Sequence, residues 1–125
     1  MTETRPAGWL SRTLQRLTAD DQTIDAEELR AGAASAGCEP VSSCREGAVV
    51  TVTGRLKSVV YTPRETVPTL EAELFDGSGS VTLVWLGRRR IPGIEPGRTV
   101  TARGRFAGFD GKRSIYNPWY ELGAG

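Results

Sequence analysis

From Ala48 to Leu122 the chain holds five strand-like segments separated by glycine-bearing turns, and that rhythm restricts it to a small all-β unit. The first segment, Val49 to Tyr61, is β-branched and alternates, with Val50, Val52 and Leu56 on one face. Gly54 in its middle suits a bulge or a barrel corner. The second, Thr69 to Phe75, sets Leu70, Ala72 and Leu74 against Glu71 and Glu73, then runs through the turn Asp76-Gly77-Ser78-Gly79 into a third, Val81 to Leu86. Counting from Val81 and Leu83 puts Trp85 inside, whereas counting from Thr82 and Val84 leaves the opposite side apolar as well; a mostly buried Trp85 is expected. The fourth, Thr99 to Ala107, alternates Val100, Ala102, Gly104 and Phe106 against Thr101, Arg103 and Arg105. Asp110-Gly111 reads as a tight turn, and the last strand runs from Lys112 to about Asn117, where Pro118 withdraws a backbone donor.

Five short strands, a glycine inside the first and fourth, and the connection Gly87 to Arg98 between the third and fourth describe a mainly β protein. The pattern is that of a five-stranded OB-fold Greek-key barrel, here with an N-terminal helical extension. Five groups of residues carry a closer resemblance: Val52-Thr53-Gly54-Arg55-Leu56, Leu74 to Gly79, Val84-Trp85-Leu86, Ile94-Glu95-Pro96-Gly97 and Tyr116 to Glu121. In order and spacing they resemble OB domains of the tRNA-anticodon and helicase type. The wedge domain of RecG-type helicases is similar, and small stand-alone bacterial OB-fold nucleic-acid-binding proteins more so. The resemblance implies single-stranded or junction nucleic-acid binding. It implies no helicase motor, because the chain has no P-loop pattern.

Composition is consistent with one core: the chain has 125 residues, 38% of them hydrophobic. No apolar run approaches the ~20 residues that span a bilayer, and the N-terminus has no hydrophobic signal core, so a cytoplasmic protein without membrane contact is expected. The formal charge of +1 hides an asymmetry. Residues 1–47 carry five arginines against eight carboxylates, whereas residues 48–125 carry eleven cations against seven, so the positive field belongs to the barrel.

The sequence divides into a helical, partly flexible extension over residues 1–47 and a nucleic-acid-binding OB domain over residues 48–125. Trp9, Leu10, Leu14 and Leu17 form one apolar stripe, suited either to docking on the barrel or to contact with a protein partner or a second copy. A second helix starts near Ile24 and Asp25 and ends at Gly37. Cys38 and Cys44 could close a small disulfide ring, but in a reducing cytosol two separate thiols are expected. With no histidine in the chain they do not complete a metal site, and no metal or cofactor is expected.

An OB barrel binds through the outer face of its second and third strands and through the loops joining strands 1 to 2 and 4 to 5. A single strand needs cations for phosphates and flat rings for bases there. The first loop offers Tyr61 and Arg64, the other Phe109, Lys112 and Arg113. For Tyr61 and Phe109 the alternative is packing over a barrel end. Arg88-Arg89-Arg90 is the densest charge cluster and follows the third strand, beside the expected groove. Arg55 and Lys57 project from the outer face of the first strand, and Arg103 and Arg105 from the fourth. Glu71 and Glu73 point outward from the second strand, where they oppose phosphates and are expected to pair with Arg55 and Lys57. Trp119 and Tyr120 are expected to close the barrel bottom, with Tyr116 able to reach the surface.

Catalysis is not expected. Without histidine there is no imidazole base or Ser-His pair, neither cysteine has an activating partner, and carboxylates such as Asp76 and Glu121 read as turn and surface residues. The expected function is therefore non-catalytic binding of single-stranded DNA or RNA. The alternative is a protein-protein interaction module using the barrel or the Trp9 helix.

Overall fold

Alternation of apolar and polar residues translates directly into six strands: β1 (Val49–Thr62), β2 (Thr69–Phe75), β3 (Ser80–Leu86), β4 (Thr99–Phe109), β5 (Lys112–Tyr116) and β6 (Trp119–Leu122). The computed structural model describes residues 26–63, 67–109 and 112–123, with Phe109 by its backbone alone. The Trp9 stripe, the helix start at Ile24 and Asp25, Arg64 and the Asp110-Gly111 turn lie outside the described residues. The strand order is β1-β2-β3-β5-β4-β6, and a further pairing of β1 with β4 closes the ring. β3 and β5 run parallel, and every other pair is antiparallel. This is the OB-fold barrel expected from the strand rhythm, with β6 as a strand that the sequence did not announce. Among the described residues no helix is long and apolar enough to cross a membrane.

The inward residues of each strand meet in one core, which includes Val52, Leu56, Leu74, Leu83, Val100 and Ile115, all at most 1% exposed. Trp85 joins them at 5% exposure, as its face predicted. Two devices let β1 serve two partners, pairing with β4 over Val49 to Arg55 and with β2 from Arg55 to Thr62. At Gly54 the backbone carbonyl of Phe75 occupies the space a Cβ would need, so only glycine permits the approach. The register then slips between Leu56 and Ser58, making Lys57 the bulged residue. Beyond the bulge Val59 and Tyr61 lie on the side of Ala72 and Leu70, while Ser58 and Val60 face outward with Glu73 and Glu71.

Residues 26–47 pack onto this barrel. Helix α1 covers 26–35 of the described residues and ends at Gly37, as its sequence indicated. Gly37 has a φ of 78°, and Cys38 N–H donates to Ala33 O (2.9 Å) while Gly37 N–H donates to Ala34 O (3.0 Å), the paired bonds of a Schellman cap. A 3-10 turn at Val41–Ser43 follows, with Val41 only 1% exposed within the barrel core.

Asp76 is the residue that joins these pieces, and it corrects the sequence reading. It stands in the β2–β3 turn as expected, yet it is fully buried rather than a surface carboxylate. Its Oδ1 accepts from Ser78 N (2.8 Å), Ser78 Oγ (2.7 Å) and Gly79 N (3.1 Å). Its Oδ2 accepts from Val41 N (2.9 Å) and from Arg30 Nη1 of α1 (2.7 Å). Burial alone would push the carboxyl pKa up, but the bonds from Val41, Ser78 and Gly79 outweigh it and hold the group below the ordinary carboxylate value. The charge is thus stable where it is buried. Arg30 also donates to Cys38 O (3.2 Å), so one side chain ties the helix to both the turn and its own exit loop.

Candidate nucleic-acid interface

Tyr61 ends the inward row of β1 beyond the bulge, at the mouth of the barrel, where it is 36% exposed. β3 runs back to the same end, since Leu70 pairs with both Tyr61 and Trp85, and the chain leaves it through Gly87. Gly87 N–H donates to Pro68 O (2.7 Å), pinning the exit of β3 to the β1–β2 loop. The exposed Arg88, Arg89 and Arg90 follow this pinned exit, and the Arg89 guanidinium lies 5.9 Å from the Tyr61 ring centroid. Two candidates separated by nearly thirty residues in sequence form one surface. It combines a partly exposed ring with an exposed cation cluster.

The other sequence candidates are distributed around the barrel. Arg55 and Lys57 stand at the far end of β2: Arg55 pairs in register with Phe75 and its side chain is engaged within the chain, and the Lys57 ammonium sits 4.3 Å over the Phe75 ring. Lys112 and Arg113 alternate along β5 and diverge. Lys112 Nζ reaches Glu71 Oε1 (3.3 Å) on the outer face, whereas the Arg113 guanidinium lies against Gly79 at the turn end. Glu71 is thus bridged by Lys112, while Lys57, the bulged residue, lies over Phe75. Glu73 stands in register with Ser58 and Thr82. Arg103 and Arg105 are exposed on the outer side of β4, with Arg105 Nη1 donating to Gly47 O.

The two cysteines are free. Burial pushes both thiols above the ordinary value; Arg30 opposes this at Cys38, while Glu39 and Asp76 reinforce it at Cys44. Such thiols stay protonated near neutral pH and are poor nucleophiles.

No family model and no curated protein sequence matches the chain. Among solved structures the chain is similar to RecG bound to a three-way DNA junction, with 25% identity and a TM-score of 0.55 over 64% of this chain. The match spans only 12% of the RecG chain. A replication protein A heterotrimer bound to single-stranded DNA matches 68% of this chain and 64% of its own, at 15% identity and a TM-score of 0.49.

Two aromatic residues stand where the sequence reading did not put them to use. Trp119, expected at the barrel bottom, is 57% exposed, and only Tyr120 turns inward, edge-on to Trp85 with ring centroids 5.7 Å apart. The reason is β6: a strand beginning at Trp119 sends Trp119 and Glu121 out, and Tyr120 and Leu122 in. Tyr116 is 50% exposed, in line with its expected reach to the surface. The alternation from Trp119 to Leu122 carried the signal, and Pro118, read as the end of the sheet, masked it.

Proposed function

We propose that this chain is a non-catalytic nucleic-acid-binding module that holds a single-stranded segment of DNA or RNA at the mouth of its barrel. Tyr61 is the stacking face, and Arg88, Arg89 and Arg90 supply the phosphate contacts. The observation that carries this reading is the convergence of Tyr61 and Arg89. An aromatic face beside clustered cations meets the two requirements of an extended single strand. The likeness to RecG, whose solved structure holds a three-way DNA junction, supports the same class of ligand. Lys112 assists by neutralising Glu71, the acid nearest the centre of the outer face. The chain has no histidine, so the acid-base and nucleophilic devices built on imidazole are absent from its chemistry.

One observation favours a protein-interaction module instead. Val60, Val67 and Leu86 are exposed near Glu71 and Glu73, an apolar and acidic surface of the kind that docks a protein. A single experiment separates the readings: titration of labelled single-stranded and duplex oligonucleotides with the full chain over a salt series. Affinity for single strands that falls linearly on a log-log salt plot supports the nucleic-acid module. Absence of binding at low salt rejects it in favour of the protein partner.

A further inference from the structure

The outer side of β4 carries aromatic side chains that the barrel-mouth assignment leaves unused. Trp119 pairs directly with Arg103 across β4 and β6, and Arg103 and Arg105 pair with Thr51 and Val49 on the other side. β5 joins β4 one step further along, through Ile115 and Phe106. Because Ile115 and Phe106 point into the core, their neighbours Tyr116 and Arg105 face outward on adjoining strands. The result is a surface of two exposed rings and two exposed guanidinium groups. Its nearest acid on β6, Glu121, shares the outward face of Trp119 two residues further on, opposite Thr101, on the side away from Tyr116 and Arg105.

These rings are carried by a fixed turn rather than a loose tail. Asn117 N–H donates to Val84 O (2.6 Å), and its side-chain Oδ1 accepts from Leu86 N (2.9 Å). Asn117 adopts a positive φ of 48°, and Pro118 beside it is buried. Both connections tie the turn to β3, so the backbone that presents Tyr116 and Trp119 is set before any ligand arrives. A pre-ordered ring loses little entropy when a base stacks on it.

We propose that Trp119 and Tyr116, with Arg103 and Arg105, form a second platform for single-stranded nucleic acid, separate from the barrel mouth. Charge complementarity selects this occupant: planar rings flanked by guanidinium groups suit bases joined by phosphates, and the one β6 carboxylate, Glu121, borders the platform on its Trp119 side without lying between the rings and the arginines. The inference rests on the nucleic-acid reading and adds a site to it. Trp119 takes a base on its indole face, and the arginines contact the phosphates that follow.

The test uses the full chain and a fluorescein-labelled oligothymidylate, read by anisotropy and by tryptophan emission. Trp119→Ala weakens binding about 5- to 150-fold, the loss of one base stack, whereas Trp119→Phe, which keeps a ring, retains most of the affinity. Arg103→Ala with Arg105→Ala lowers the salt slope by about 0.7 for each phosphate left without its cation. Oligonucleotide binding quenches the emission of the parent more than that of Trp119→Phe. The thermal midpoint of the variants stays near that of the parent, because both substituted aromatic and cationic groups are exposed. If Trp119→Ala and Tyr116→Ala bind like the parent while the Arg88-Arg89-Arg90 triple variant is weakened, the platform is overturned and the barrel mouth stands. If the parent binds no oligonucleotide, both fall. A concentration-dependent dimer abolished by Trp119→Ala, with oligonucleotide affinity unchanged, also overturns the platform and makes it an interface between copies.

Discussion

Replacing Asp76 by alanine removes the acceptor of five hydrogen bonds at once, two to Oδ2 and three to Oδ1. The donors do not suffer equally. Ser78 and Gly79 are half-buried in a turn where water can replace the carboxylate, so their loss is small. Val41 is 1% exposed, and its stranded N–H costs about 1–3 kcal/mol. Arg30 loses its ion-pair partner, though at 25% exposure it can turn toward solvent. Breaking a buried pair typically costs about 3–5 kcal/mol, and the sum here belongs in that range. Against a total stability of about 5–15 kcal/mol for a domain this size, the loss is a large fraction. Asp76→Asn should be nearly as harmful. Its amide presents NH2 either to the donors Arg30 and Val41 or to the N–H groups of Ser78 and Gly79, where only the Ser78 hydroxyl can turn to accept. Arg30→Met should cost less, because the carboxylate keeps its other four donors.

Urea unfolding followed by tryptophan emission ranks the three, with the order Asp76→Ala, Asp76→Asn, Arg30→Met. pH supplies an independent check. The folded-state pKa of Asp76 is depressed, so its stabilisation is fully present above the unfolded value of about 3.9 and is lost as pH falls through the folded pKa. The parent should therefore lose stability in acid more steeply than Asp76→Ala. An Asp76→Ala protein within about 1 kcal/mol of the parent, where ~3–5 is expected, and with the same acid profile would refute the role given to this residue.

Three further outcomes are expected. Alanine at Arg88, Arg89 and Arg90 together should weaken oligonucleotide binding across sequences and lower the salt slope by about 0.7 per phosphate left without its cation, while Tyr61→Ala should cost ~1–3 kcal/mol of binding with the slope nearly unchanged; anisotropy over a salt series distinguishes them. Gly54→Ala should destabilise the barrel by about 3 kcal/mol, since the new methyl meets the Phe75 carbonyl and backbone cannot swing aside; chemical denaturation at constant m-value measures it. Maleimide or disulfide reagents should modify both cysteines slowly at neutral pH, with half-buried Cys44 ahead of buried Cys38, as mass spectrometry over time would record; a fast Cys38 would mean that α1 and the 3-10 turn open readily.

Strand positions and the inner face were legible because a strand has a period of two and a closed barrel has one dry side. Val50, Val52, Leu74, Leu83 and Trp85 are buried where alternation put them. Alternation fails at a bulge: after Lys57 the parity of β1 inverts, and Tyr61 joins the inward row although simple counting from Val50 gives no warning. Glu71 is bridged instead by Lys112 of β5, a pairing between strands that are not consecutive in the chain. Asp76 looked like any turn carboxylate, because its burial comes from Arg30 and Val41, more than thirty residues upstream.

Local content is written in the residues themselves: which segments extend, which side of each is apolar, where α1 stops, and that net positive charge belongs to residues 48–125. Those properties follow from side-chain period, turn chemistry and composition, all of which act over a few residues. Which distant residues share a surface depends on how the folded chain brings its strands together. The β1–β2–β3 register with the Gly87–Pro68 bond puts Arg89 over Tyr61, the β4–β6 pairing puts Arg103 beside Trp119, and the docking of residues 26–47 puts Asp76 beneath a helix. A cation, a ring and a carboxylate acquire their roles from neighbours supplied by chain closure, and that information is non-local in any single sequence.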